Sequence, residues 1–208
     1  MKGQRILHIV FLLVLVMVLS GGCGQSSTQT PGTGENPEQT KTEIKEVNIS
    51  FDFTRTSTIA SNQVAVWIED TNGGAVKILF VTNFTAARRG YRNRAESLPS
   101  WVKASNPEEM SNSEIDAISS ATFTTGTQYF SWDMTDADGN IVPGGTYKIM
   151  VEGTLFWGST VLYSAELDTG NAVGGELTIK ETRSEPNNRD NENMLQNVRV
   201  SVVMKENS

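Results

Sequence analysis

Residues 116–122 read D-A-I-S-S-A-T, a short run of small side chains that ends in a threonine hydroxyl. A hydroxyl in that setting can serve as the nucleophile of a group transfer. Ser119, Ser120 and Ala121 keep the segment narrow around the Thr122 hydroxyl, and Asp116 heads the run. The plainer reading is that a helix ends here and turns into a strand, with Ser119 and Ser120 satisfying backbone groups.

The rest of the chain offers few other reactive groups. It has one cysteine, Cys23, and one histidine, His8. Lys2 and Arg5 precede an apolar run from Ile6 to Leu19, which is followed by Ser20, Gly21 and Gly22. This is the layout of a secretory signal over residues 1–22. The apolar run is shorter than the roughly 20 residues that span a bilayer as a helix. A cysteine directly after the small residues resembles the bacterial lipobox, although Ser20 stands where that motif carries Leu. The resemblance implies that Cys23 is diacylated and that the chain is cut before it.

Cleavage would remove His8, Lys2 and Arg5, making the balance of 17 cations against 24 acids more negative than the formal −7. With Cys23 acylated, neither thiol nor imidazole remains. Ser-His-Asp and Cys-His catalysis are then excluded, as are zinc sites built from Cys or His and disulfides within one chain. No metal is expected. The acidic balance argues against nucleic acid as a partner.

Residues 23–44 are rich in Gly, Ser, Thr, Pro and Gln and lack a large apolar side chain before Ile44. Such a segment buries too little surface to fold and reads as a disordered tether with a reach of about 25 Å. Residues 45–208 form one domain. Period-two alternation at Ile49, Phe51 and Phe53 and at Val64, Val66 and Ile68 predicts strands. Further strands are predicted at Val76–Val81, Gln128–Trp132, Tyr147–Glu152, Val161–Leu167, Glu176–Glu181 and Val198–Met204. Turn residues between them, such as Asn72-Gly73-Gly74 and Asp138-Gly139-Asn140, complete an all-β pattern: an antiparallel, immunoglobulin-like β-sandwich. Trp67 and Trp132 fall on predicted strands and belong in the core. The connection from Thr82 to Thr125 is far longer than usual, and such connections often carry function. It is expected to be partly helical, with a helix starting at Asn106-Pro107-Glu108-Glu109.

Two resemblances refine this reading. Trp132 to Tyr147 looks like the W-D-x-x-D-x-x-G-x-x-V-P-x-G-x-Y hairpin of FlgD-type immunoglobulin-like domains. Its Asp133, Asp136 and Asp138 do not meet the spacing of an EF-hand calcium loop. More widely, residues 64–170 resemble the DUF2271 family of predicted exported bacterial proteins. The residues that carry this are Val64 to Asp70, Leu98-Pro99-Ser100-Trp101, the run from Asp116 to Thr122, and the Trp132 hairpin. The family's His-Gly pair is absent near Phe156-Trp157-Gly158.

The run from Asp116 to Thr122 is also similar to the target sequence of extracytoplasmic flavin transferases. That resemblance implies FMN linked covalently through its phosphate to Thr122. Trp101, Tyr91 or Trp157 would then offer an aromatic wall for the flavin. Arg88, Arg89 or Arg92 would pair with the phosphodiester, unless these arginines are simply a solvated loop. The expected protein is a lipid-anchored electron carrier on the extracytoplasmic face of the cell membrane, loaded by a flavin transferase and serving a membrane redox partner. The alternative is a surface binding or scaffold module that uses its aromatic insert. In neither case is the chain expected to be an enzyme in its own right.

Overall fold

The computed structural model describes residues 43–184 and 191–206. Cys23, the signal segment and the tether as far as residue 42 lie outside the described residues.

The predicted alternation becomes a two-sheet sandwich. One sheet contains β1 (Ile44–Phe53), β5 (Gly126–Trp132), β8 (Gly175–Glu176) and β10 (Leu195–Met204), in the order β5-β1-β10-β8. The other contains β2 (Gln63–Glu69), β3 (Ala75–Thr82), β4 (Ser119–Ser120), β6 (Thr146–Phe156), β7 (Ser159–Asp168) and β9 (Ile179–Arg183), in the order β4-β3-β2-β6-β7-β9. Val47, Ile49, Phe51 and Phe53 of β1 point into the gap between the sheets and meet Val64, Val66, Ile68, Ile149 and Val151 there. Fully burying each such side chain is worth about 1.5–3 kcal/mol.

β2 is buried on both faces, because a third layer covers the outside of the six-stranded sheet. Ala65 and Trp67 point away from the sandwich gap and pack with Val81, Met150, Leu98, Trp101 and Ile115. The last three come from the insert, which folds as a short 3-10 turn (Gly90–Arg92), α1 (Pro99–Ser105) and α2 (Asn112–Ile118). Trp67 and Trp132 are both fully buried, as expected, but they serve different cores, on opposite faces of the six-stranded sheet.

Three local expectations are corrected. Asn106 does not open a helix: it closes α1 in the left-handed conformation (φ 46°). The next helix starts at Ser111, whose hydroxyl accepts from Glu114 N while the Glu114 carboxylate accepts from Ser111 N. That reciprocal capping box outcompetes the Asn-Pro pair upstream. Glu176–Glu181 is not one strand: the chain pairs with β10 through β8, crosses the gap, and pairs with β7 through β9. Finally, the Trp132–Tyr147 motif is not a hairpin within one sheet. β5 and β6 belong to different sheets, so the motif is an arch between them. Trp132 Nε1 donates to the Thr135 carbonyl at 2.8 Å, Tyr147 Oη donates to the Pro143 carbonyl at 2.7 Å, and the two rings meet edge to face at 5.4 Å.

Candidate functional site

α2 ends at Ile118, and the chain enters β4 directly. Ser119 and Ser120 lie parallel to Val81 and Thr82, the only parallel pairing among the described strands. Asn83 N then donates to the Ser120 carbonyl at 2.7 Å. The helix-to-strand reading is therefore realised, but the backbone ladder carries it, and the hydroxyls of Ser119 and Ser120 make no hydrogen bond among the described residues. Asp116 and Ala121 are exposed.

Residues 121–125 then cross the open side of the sandwich, from the edge of the six-stranded sheet to the start of β5. Phe123 anchors the crossing. Its ring stacks on Phe80 at 4.1 Å and meets Phe53 at 5.6 Å and Phe51 and Phe130 at 6.0 Å. With Phe123 turned into the gap, its neighbours are left on the rim: Thr124 is exposed and Thr122 half-buried. The Thr122 hydroxyl has no hydrogen-bonding partner among the described residues.

Arg55, which follows β1, reaches the same rim. Its backbone N–H donates to Thr125 Oγ1 at 2.9 Å, and its Nη1 donates to the Phe123 carbonyl at 3.3 Å. Phe84 lies two residues beyond Thr82, as Thr122 lies two beyond Ser120, and it is 38% exposed. The Arg94 guanidinium sits 5.6 Å from the Phe84 ring centre. Nε and Nη2 of Arg94 are buried without a partner, and that desolvation disfavours its charged form.

The residues expected to hold a flavin are distributed differently. Trp101 is fully buried under α1 and Tyr91 is buried in the insert, so neither has an open ring face. Arg89 is occupied by Tyr91 Oη, the Pro107 carbonyl and Asn112 Oδ1, and Arg92 is forked onto Glu108. The Arg88 side chain is exposed. Only Trp157, 48% exposed in the β6–β7 turn, presents an open aromatic at the same end of the sandwich as Thr122. Arg55, Phe84 and Arg94 were absent from the expected set. Arg55 meets the motif across 68 and 70 residues of sequence, a juxtaposition that no local spacing reveals.

A buried carboxylate holds the insert in place. Glu152, on the outer face of β6, accepts Ser100 N at 3.0 Å and Trp101 N at 2.9 Å, closing the N-terminus of α1. Burial pushes this carboxyl up, against the pull of the two N–H donors, and Glu69 adds repulsion. A groove of about 290 Å³ runs between Ala75–Ile78, Met110, Ala117 and Asp138. It flanks the first half of β3, whereas Thr122 lies past the last residue of that strand. Asp133 and Asp136 are committed to the arch: Asp133 to Thr135 and Lys77, and Asp136 to the backbone N–H groups of Asp138 and Asn140. Among the described residues no group of three or more His, Cys, Asp or Glu could hold a metal ion.

The model of a family described as a predicted periplasmic protein matches residues 45–185. The chain belongs to the DUF2271 family. The match runs from the second residue of β1 to just past β9, so the DUF2271 unit takes in both sheets, except for β10, together with the whole insert. It extends the resemblance at residues 64–170 in both directions. Membership places this DUF2271 chain outside the cytoplasm. Among the described residues no helix is long and apolar enough to cross a membrane. Neither curated proteins nor solved structures gave a match.

Proposed function

We propose that this DUF2271 protein is an extracytoplasmic electron carrier bearing FMN on Thr122, anchored to the membrane through Cys23. The observation that carries the proposal is an unpartnered hydroxyl on the open rim, fixed by the inward turn of the next residue, Phe123. A transferase needs such a group: reachable, bonded to nothing else, and held on a framework that does not have to unfold.

In the attachment step, Thr122 Oγ attacks the flavin-side phosphorus of FAD. A P–O bond forms to Thr122 and the bridging P–O bond of the pyrophosphate breaks. AMP leaves, and the hydroxyl proton passes to a base of the transferase. The residues at this end suit the product. Phe84 and Trp157 offer half-open rings to a flat heterocycle, and the Arg94 guanidinium lies over Phe84. Bound FMN would supply one- and two-electron transfer, with the fold setting its exposure and potential. A flavin transferase and a membrane redox partner are the implied partners.

The test is intact mass spectrometry of the protein co-expressed with a flavin transferase, together with in-gel fluorescence. The expected result is a gain of one FMN moiety located on Thr122. Wild-type protein that stays unmodified beside an active transferase would end the proposal.

A second reading, a surface binding module, draws on Trp157. That residue adopts φ 44° in a tight turn where Asn or Gly is preferred, with its ring half exposed. Ile59, 72% exposed, lies beside it, because Trp157 N donates to the Ala60 carbonyl at 3.0 Å. Loss of binding in Trp157→Ala, with Thr122→Ala unaffected, would favour this reading.

A further inference from the structure

We infer that Arg55 binds the phosphate of the group carried on Thr122. The inference rests on the Thr122 reading and names the residue that completes it.

Arg55 is held at two points on the segment after Thr122, through its backbone N–H to Thr125 Oγ1 and through Nη1 to the Phe123 carbonyl. The guanidinium therefore lies beside the peptide between Phe123 and Thr124, whose carbonyl residue is one Cα spacing of about 3.8 Å beyond Thr122 along the backbone. A phosphate on Thr122 Oγ projects from the same short stretch of chain.

The donor inventory agrees. Nη1 is engaged with the carbonyl, and no hydrogen bond is made by Nε or Nη2. Those two nitrogens form one edge of the guanidinium, the fork that takes two oxygens of a phosphate. No carboxylate pairs with Arg55 among the described residues. The side chain is a solvent-exposed cation with a free fork on a protein of formal charge −7.

Other cations fit less well. Arg92 is neutralised by Glu108 and Arg89 is tied into the insert, while the free edge of Arg94 is buried beside Phe84. A phosphodiester carries one negative charge, which one guanidinium balances. The same charge would favour the approach of the anionic pyrophosphate of FAD to an otherwise acidic surface.

The test follows FMN transfer from FAD to Thr122 by intact mass, using purified transferase and full-length protein. Wild type is compared with Arg55→Gln and Arg55→Lys at low and high salt. The expected result is a roughly tenfold slower transfer in Arg55→Gln, the order of one lost charge-assisted contact. Most of the rate returns in Arg55→Lys, and the gap between wild type and Arg55→Gln narrows as salt rises. A second measurement reads the finished product: the phosphorus NMR resonance of the Thr122 diester moves in Arg55→Gln relative to wild type. Equal rates for wild type and Arg55→Gln at low salt, or an unmoved resonance, would overturn the role of Arg55 and leave the Thr122 reading intact. Equal slowing in Arg55→Lys would reduce Arg55 to a structural part of the rim and overturn the inference. Wild type that takes up no flavin at all overturns the Thr122 reading, and the inference with it.

Discussion

Glu152 on β6 accepts the backbone N–H of Trp101 at 2.9 Å, with both residues essentially excluded from solvent. A carboxylate from the sheet thereby satisfies donors that a helix N-terminus cannot satisfy itself. Removing it orphans the N–H groups of both Ser100 and Trp101. Glu152→Ala is expected to destabilise the fold by about 2–4 kcal/mol, combining a cavity with the unpaired donors. Denaturant melts compared with wild type check this. The pH dependence has a definite sign. Burial raises the folded-state pKa of this carboxyl above its ordinary 4.5. Its contribution is therefore fully present below that value and is lost as pH rises through the folded pKa. Glu152→Gln, which cannot ionise, should lack this decline when stability is followed upward from pH 4.

Phe123 makes a different prediction, because it links packing to modification. Phe123→Ala empties one place in a cluster of five phenylalanines and should cost about 2–4 kcal/mol. It should also slow modification of Thr122, since the anchor of the crossing is gone. Thr122→Ser should keep the modification and Thr122→Ala abolish it, each with an unchanged melting temperature. Thermal melts and intact mass, run on the same samples, separate the two effects.

The arch gives an acid-limb prediction. Hydrogen bonding from Thr135, reinforced by Lys77, holds the Asp133 carboxyl down to about 2 from an ordinary 3.8. A depressed pKa contributes stability that is present above the ordinary value and lost as pH falls through the folded one. Asp133→Asn should therefore flatten the loss of stability between about pH 4 and pH 2. Acid titrations of the folded fraction for both proteins provide the comparison.

Gly90 is a steric test of the rim. A Cβ at this position would lie 2.4 Å from Phe84 Cε1 and 2.5 Å from the Phe84 carbonyl oxygen. The oxygen belongs to the backbone and cannot simply rotate away. Gly90→Ala should cost about 1–3 kcal/mol and move Phe84. Melting curves measure the cost, and if Phe84 contributes to a flavin site, the fluorescence of modified protein should change as well.

Much of the sandwich was legible because the strands alternate, and alternation is written locally. Ile49 to Phe53 and Val64 to Ile68 needed only their own residues to be read. The insert was harder, because Asn106-Pro107 and Ser111-x-x-Glu114 are both reasonable helix starts. The choice between them depends on where α1 ends, and Asn106 ends it. Leu177 and Ile179 alternate with polar residues across Glu176–Glu181, yet two different neighbours divide it. Thr122 was visible as a motif, but its surroundings were not. Arg89 and Arg92 spend their donors inside the insert, whereas Arg55 arrives from the end of β1. Nothing short of the register between β1 and β5, which sets Phe53 against Gly126, brings positions 55 and 123 together.

β1 starts at Ile44 and ends at Phe53, whose ring touches Phe123. Its two ends mark opposite poles of the domain, about 30 Å apart at the usual rise per residue. The described chain enters the domain at one pole, and the hydroxyl proposed to carry FMN sits at the other. On the proposed reading, a redox partner must approach the Phe53 pole, because one that meets the Ile44 pole finds no flavin within reach. The orientation of a single strand would then decide which pole of the domain exchanges electrons.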